Sequence, residues 1–227
     1  MNSVLLDVDG TLVDSNDAHA YAWLEAFAEQ GIAVEFATVR RAIGMGGDKL
    51  LPTVSGIIED SAMGKCISTR RREIFKAKYL PGVRPFPGAH ELVEALKAHR
   101  FTVVAASSAK RDELTALLRI AGAQSLLDEA TSSDDAEESK PDPDIIHAAL
   151  QKANARPEDA MMIGDTPYDV EAALRAGVVA IAFRSGGWKD DDLRGAAAIY
   201  DGPRDLLDHL ADSPLMLNSS VHPARWV

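Results

Sequence analysis

The chain has 227 residues, 46% of them hydrophobic and 26% charged, with a formal net charge of −11 and one cysteine, Cys66. That size suits one large domain or a domain carrying a smaller one, while the acidic surplus opposes nucleic acid or an anionic membrane as partner, though not a small anion met by local cations. No apolar run approaches the roughly 20 residues that cross a bilayer, no basic region precedes Asp7 as in a signal peptide, and one cysteine excludes an internal disulfide framework, so a cytoplasmic address is expected.

In chain order, the first predicted strand covers 4–9 and ends in Asp7 and Asp9, before a break at Gly10. Residues i and i+2 of a strand point to the same side, so both carboxylates can face one ligand. Neighbouring acids repel and are matched by a cation or a shared proton, and oxygen ligands at a strand end suit Mg²⁺. Taken alone, the segment is equally a strand running into an Asp-Gly turn. From about Ser15 to Arg84 there is no strand signal, only helical segments near 17–30, 35–43, 47–58 and 66–79, with His19, Trp23, Phe27 and Ile32 on one stripe. The Pro/Gly-rich run 81–88 reads as a stiff connector.

Beyond it, helices at 89–99, 109–121, 142–153 and 167–177 alternate with apolar runs at 101–107, 160–165, 178–183 and, more weakly, 197–200. Continuous Val, Ile and Ala runs suit strands buried on both faces, and the alternation predicts an α/β domain with a parallel, Rossmann-like sheet. Ligands of such sheets lie beyond the carboxyl ends of the strands. The acidic clusters at 134–138 and 190–192 read as solvated loops. The stretch 211–227 reads as a loosely attached extension.

Three further constellations fall at strand or helix ends. Ser107 and Ser108 close the strand at 101–107, before a helix whose first N–H groups favour an anion; a serine N-cap explains them equally. Lys140 is followed by Pro141 and Pro143, which stiffen the backbone that would hold one cation in place. Asp165 ends the strand at 160–165, with Asp169 one helical turn on.

Together, Asp7-x-Asp9-Gly10-Thr11, the strand-terminal Ser107, Lys140-Pro141 and Gly164-Asp165-x-x-x-Asp169, in this order, resemble the signature of the haloacid dehalogenase superfamily. The resemblance spans nearly the whole chain. It implies a core formed by 1–14 and 85–210, with the helical stretch 15–84 as an inserted cap. That placement is similar to the phosphoglycolate phosphatase-like and β-phosphoglucomutase-like subgroup. By the same resemblance, Asp7 is the nucleophile that forms an aspartyl-phosphate, and Asp9 protonates the leaving oxygen and then activates water. Mg²⁺ is held by Asp7, Asp9 (through its backbone carbonyl) and Asp165. Ser107 and the Ser108 N–H bind phosphoryl oxygens, Lys140 neutralises charge, and Thr11 and Asp169 support the site.

Asp9 also separates this chain from the superfamily's dehalogenases and phosphonatases, which lack the second aspartate. The resemblance therefore implies a Mg-dependent phosphatase acting on a small phosphorylated metabolite, a sugar phosphate or phosphoglycolate-like ester. One alternative is a β-phosphoglucomutase-like phosphomutase. It is disfavoured by the absence of an arginine in 44–49 and by Gly164 where mutases carry an acid. The other is a non-catalytic phosphometabolite-binding protein. Substrate contacts are expected from His19, Lys49, Lys110 and Ser108, with Arg40 and Arg41 as further candidates, and the connectors near 14–16 and 83–86 as hinges. A monomer or weak homodimer is expected.

Overall fold

The computed structural model describes residues 2–219. Its first strand, β1 (Ser3–Leu6), is buried throughout. After it come β2 (Val13–Asp14) and four helices, α1 (Asn16–Glu29), α2 (Phe36–Ala42), α3 (Gly47–Ser55) and α4 (Ala62–Ile74). Then β3 (Arg84–Pro85), α5 (Ala89–Ala98), β4 (Thr102–Ala106), α6 (Arg111–Ile120), β5 (Glu129–Thr131) and α7 (Asp144–Ala153) follow. The chain continues with β6 (Ala160–Gly164), α8 (Pro167–Arg175), β7 (Val179–Phe183), β8 (Ala198–Tyr200), α9 (Pro203–Asp208) and α10 (Pro214–Ser219).

Six strands form one parallel sheet in the order β5-β4-β1-β6-β7-β8. From β1 the chain first moves to β4 and β5 on one side, then returns to β6, β7 and β8 on the other. The reversal lies beside β1, and an open α/β sheet binds its ligand at such a point. Leu6 pairs with both Ala105 and Ile163, so the carboxyl ends of β4, β1 and β6 stand side by side. Burial alternates along the strands: Val4 and Leu6 join the core formed with α5, α6 and α9, whereas Leu5, Val104 and Met162 join the one formed with α7 and α8. This is the two-residue period of a sheet covered on both faces.

Between β1 and β4, helices α1–α4 pack on one another and extend the first of these cores through Trp23, Phe27, Leu50, Leu51, Ile67 and Phe75. The connectors meet as a two-stranded antiparallel ribbon, Val13 opposite Pro85 and Asp14 opposite Arg84. Local chemistry moves several element ends from the expected positions. The α3 helix stops at Ser55 because Gly56 turns left-handed at φ 74°. The α4 helix starts at Ala62 because the Ser61 hydroxyl accepts the Gly64 N–H, and it runs on into a π-helical turn, Phe75–Tyr79. The α6 helix starts at Arg111, so Ser107 and Ser108 belong to the preceding loop rather than to its cap.

Three elements lie outside the expected pattern. β5 is a short edge strand with no apolar run to announce it, and α9 and α10 are six residues each. Within the stretch 211–227, Ser213 and Leu215 are fully buried; its residues 220–227 lie outside the described residues. The acidic loop is also less solvated than expected: Asp135 accepts from Ser132 and pairs with Arg111 and Lys152.

Candidate active site

Three strands deliver carboxylates and a hydroxyl to one place. Asp7 follows β1 and still donates its N–H to Ile163 O across the sheet, at 2.9 Å. Asp165 follows β6 and is fully buried. Carboxylate oxygens of Asp7, Asp165 and Asp169 lie within 4.8 Å of one another. Thr11 Oγ1 bridges the first two, 3.2 Å from Asp7 Oδ2 and 3.0 Å from Asp165 Oδ1.

The turn after β1 explains this closeness. Gly10 sits at φ 75°, and a Cβ there would run into the Asp165 carboxylate and the Asn16 amide. Only glycine takes this conformation cheaply and leaves that space open. Asn16, the first residue of α1, donates Nδ2–H to Asp165 Oδ2 at 2.9 Å. The sequence reading missed it because an asparagine at a helix start is fully explained as a cap-type residue.

Lys140 is the counter-charge. Its side chain is 1% exposed, and Nζ lies 2.6 Å from Asp7 Oδ1, 2.7 Å from Asp169 Oδ1 and 2.8 Å from Ala106 O. The ammonium thus donates hydrogen bonds to Asp7 and Ala106 O and forms an ion pair with Asp169. Asp169 is held by a capping box, its Oδ2 accepting the Thr166 N–H and hydroxyl while the Thr166 Oγ1 accepts the Asp169 N–H. One local cap therefore aims a carboxylate at Lys140.

Electrostatics follow from three buried acids around one ammonium. Burial, opposed by Lys140 and reinforced by Asp169 and Asp165, leaves the Asp7 carboxyl well above its ordinary range. Burial and the Asp169 charge push Asp165 up to about 7 against the hydrogen bonds from Asn16 and Thr11. Lys140 is desolvated too, yet Asp169 and Asp7 hold it above its usual value. A site with this surplus of buried oxygen anions suits a hard cation.

Asp9 has a different setting. It is partly exposed, and its Oδ1 lies 2.5 Å from Ser15 Oγ and 2.7 Å from His19 Nε2. Burial works to raise it, but His19, Ser15 and the more distant Arg71 outweigh that and bring it below its ordinary value. His19 itself is buried and stacked on Phe75, with ring centroids 3.9 Å apart. The two carboxylates of the opening motif are therefore unequal, one desolvated beside an ammonium, the other held ionised beside an imidazole.

Asp7, Asp9, His19, Ser107 and Ser108 all line one cavity of about 60 Å³. Ser107 Oγ accepts the Ala109 N–H, and Ser108 Oγ is buried without a partner. Lys49 and Lys110 are not among its lining. Lys49 Nζ is drawn to Glu138 and, at 3.0 Å, to Asp142, and Lys110 Nζ to Asp134 at 3.0 Å. Arg40 reaches Asp17 and Gly186 O, and Arg41 lies over Trp188. Among the described residues, the cation that does line the cavity is Arg71 of α4, together with Glu113 of α6 and Trp23 of α1. None of these three stood out in the sequence as a site residue.

Residues 4–183 match the haloacid dehalogenase-like hydrolase family. A phosphoglycolate phosphatase from Rhodospirillum rubrum is 29% identical over 217 residues, covering 92% of this chain and 90% of that protein. The chloroplastic protein SUPPRESSOR OF QUENCHING 1 of Arabidopsis thaliana is 33% identical over 190 residues; the match covers 82% of this chain but only 18% of that protein's length. The crystal structure of a hydrolase from Pseudomonas syringae superposes with a TM-score of 0.87 at 30% identity, covering 93% of this chain and 99% of that one.

Proposed function

Since the chain belongs to the haloacid dehalogenase-like hydrolases, we propose that it hydrolyses a small phosphate monoester through an aspartyl-phosphate on Asp7, with Mg²⁺ held beside it. A phosphoric monoester hydrolase acting on small phosphate substrates is what the family and its phosphatase relatives establish. The nucleophile, the metal and the ester class are the proposal. One observation carries it: Asp7 has Lys140 Nζ 2.6 Å from one oxygen, while Asp165 comes close on the other side.

In this reading Asp7 attacks phosphorus and the ester oxygen leaves. An attacking carboxylate and a phosphate both carry negative charge, and Lys140 offsets it at the point where the two meet. Asp169 positions Lys140 and does not touch the substrate. Asp9 gives its proton to the leaving oxygen and later takes one from the water that splits the acyl phosphate. His19 and Ser15 hold Asp9 ionised at rest, which suits the base step; before the acid step it must take up a proton, and His19 Nε2, 2.7 Å away, is the neighbour placed to pass one. Ser107, with the Ser108 N–H, holds phosphoryl oxygens.

The oxygen-only set of Asp7 and Asp165, with the Asp9 carbonyl as in the family signature, fits Mg²⁺. When bound, Mg²⁺ neutralises phosphoryl charge and orients the group for in-line attack. Helices α1–α4 act as a cap hinged at the β2/β3 ribbon. Cap and core are latched by Arg71–Glu113, Lys76–Asp112 and Lys49–Glu138. The phosphomutase alternative is weakened at Gly164, where any side chain would collide with the Asp169 carboxyl.

The direct test is p-nitrophenyl phosphate hydrolysis as Mg²⁺ is titrated. Turnover that disappears with a chelator is expected; turnover unchanged by chelation would remove the metal from the account. Mg²⁺ at about 100 times its dissociation constant should also stabilise the fold by about 3 kcal/mol. A cation competes with the proton on Asp165, so this gain should shrink as pH falls through about 7. Asn16→Ala should raise the half-saturating Mg²⁺ about 10–100-fold in the same titration, because Asp165 loses the amide that orients it. An unchanged Mg²⁺ requirement would exclude Asn16 from that role.

A further inference from the structure

The cavity over Asp7 and Asp9 shares Trp23, Gly47, Arg71, Ser108, Ala109 and Glu113 with a second, larger cavity of about 540 Å³ between α3, α4 and the loops flanking α6. That volume lies within the roughly 300–1,000 Å³ usual for small-molecule sites. A two-carbon acid would leave most of it unfilled. Where the two cavities meet stands an ion pair. Arg71 Nη1 is 3.0 and 2.8 Å from the two oxygens of Glu113, whose side chain is 1% exposed.

Arg71 is the only guanidinium or ammonium lining the cavity directly over Asp7 and Asp9, among the described residues. It is held between the rings of Trp23 and Phe75, 5.4 and 5.6 Å from their centroids. Its Nε is buried with no partner, as are Ser108 Oγ and Ser133 Oγ, the latter in the wall of the larger cavity. Buried polar groups without partners are uncommon and call for one.

From these contacts we infer that Arg71 and Glu113 together read the leaving group, and that they select an uncharged, polyhydroxylated one, a sugar or polyol monophosphate, over a short carboxylate ester. The inference rests on the phosphatase reading above. Arg71 alone would attract a carboxylate. With Glu113 fixed against it, an anion reaching the guanidinium must also approach a buried carboxylate, and close like charges are costly. A hydroxyl meets no such penalty, since it accepts from Arg71 and donates to Glu113. Farther out, the free hydroxyls of Ser108 and Ser133 share the wall of the larger cavity with Lys65, Arg72 and Lys110 and with acids such as Asp48, Glu59 and Glu138.

The test compares kcat/KM for a panel of sugar and polyol monophosphates with that for phosphoglycolate and 3-phosphoglycerate, in wild type and Glu113→Gln. In wild type the best neutral ester is expected to exceed the best carboxylate ester by about tenfold or more. Glu113→Gln keeps the size and a hydrogen bond to Arg71 but removes the charge. It should narrow that ratio by about tenfold, chiefly through a lower KM for the carboxylate esters. A wild-type preference for the carboxylate esters would overturn the inference. So would a variant that changes both classes by the same factor, as a mere latch between cap and core would. The wild-type ratio decides the matter alone where the variant folds poorly. Hydrolysis of p-nitrophenyl phosphate separates the two readings: if it proceeds while the carboxylate esters win, only the inference falls. If wild type turns over no ester at all, the phosphatase reading falls and takes the inference with it.

Discussion

Asp7→Asn is expected to lower kcat for any phosphate ester by at least about 10⁴-fold while leaving the protein folded and at least as stable as wild type. The activity loss follows from chemistry, because an amide oxygen is a far weaker nucleophile than a carboxylate and would not yield the same acyl phosphate. The stability expectation follows from the setting. Burial and two neighbouring acids hold the Asp7 carboxyl well above its ordinary range despite Lys140, so its ionised form is destabilised by the fold. Removing one charge from three crowded carboxylates relieves repulsion, and Lys140 keeps Asp169 and Ala106 O as partners. Steady-state kinetics and thermal melting check the two halves separately. Retained turnover would exclude Asp7 as nucleophile, and a collapse in melting temperature would show that the carboxylate is structural.

Lys140→Met carries the opposite signature: both activity and stability should fall. Taking one partner from a buried ion pair costs about 3–5 kcal/mol, because the remaining charge is uncompensated. Here two acids are left, Asp7 and Asp169. The kcat should drop by about 10²–10³-fold, the usual effect of losing one preorganised electrostatic contact. The stability loss should depend on pH. Without Lys140 the folded Asp7 carboxyl rises further above its unfolded value of about 3.9. The folded state then binds a proton that the unfolded state releases, so stability falls as pH rises from about 4 toward the folded value. Denaturant unfolding should therefore show a larger deficit near pH 8 than near pH 5. A deficit that is equal at both would mean that Lys140 does not compensate these carboxylates.

Asp7 is legible because it follows a strong local signal. Asp7, Ser107 and Asp165 each terminate an apolar run long enough to be a buried strand, and the parallel sheet aligns such ends. Lys140 and Asp169 needed the family signature, since a lysine before a proline has many uses. What stayed hidden depends on contacts between distant segments. Arg71 lies in the run Arg70-Arg71-Arg72, which reads as a solvated helix face, and Glu113 on the polar side of an amphipathic helix. Only the approach of α4 to α6 brings them together, with Glu113 buried and Arg71 partly exposed. Lys49 and Lys110 stay out of the cavity over Asp7 and Asp9 for the same reason reversed, because acids about 90 and 24 positions away hold them, although Lys110 borders the larger cavity. The edge strand β5 has too few apolar residues to register, and its place is set by pairing with β4.

The claim at the centre of this account is that the phosphoryl group rests on the protein between two displacements. Hydrolysis of an isotopically chiral thiophosphate monoester in isotopically labelled water, followed by analysis of the configuration of the released thiophosphate, tests it directly. Attack by Asp7 and then by water inverts phosphorus twice, so the account predicts overall retention. Overall inversion would mean that water attacks the ester in a single step, and would contradict the aspartyl-phosphate mechanism.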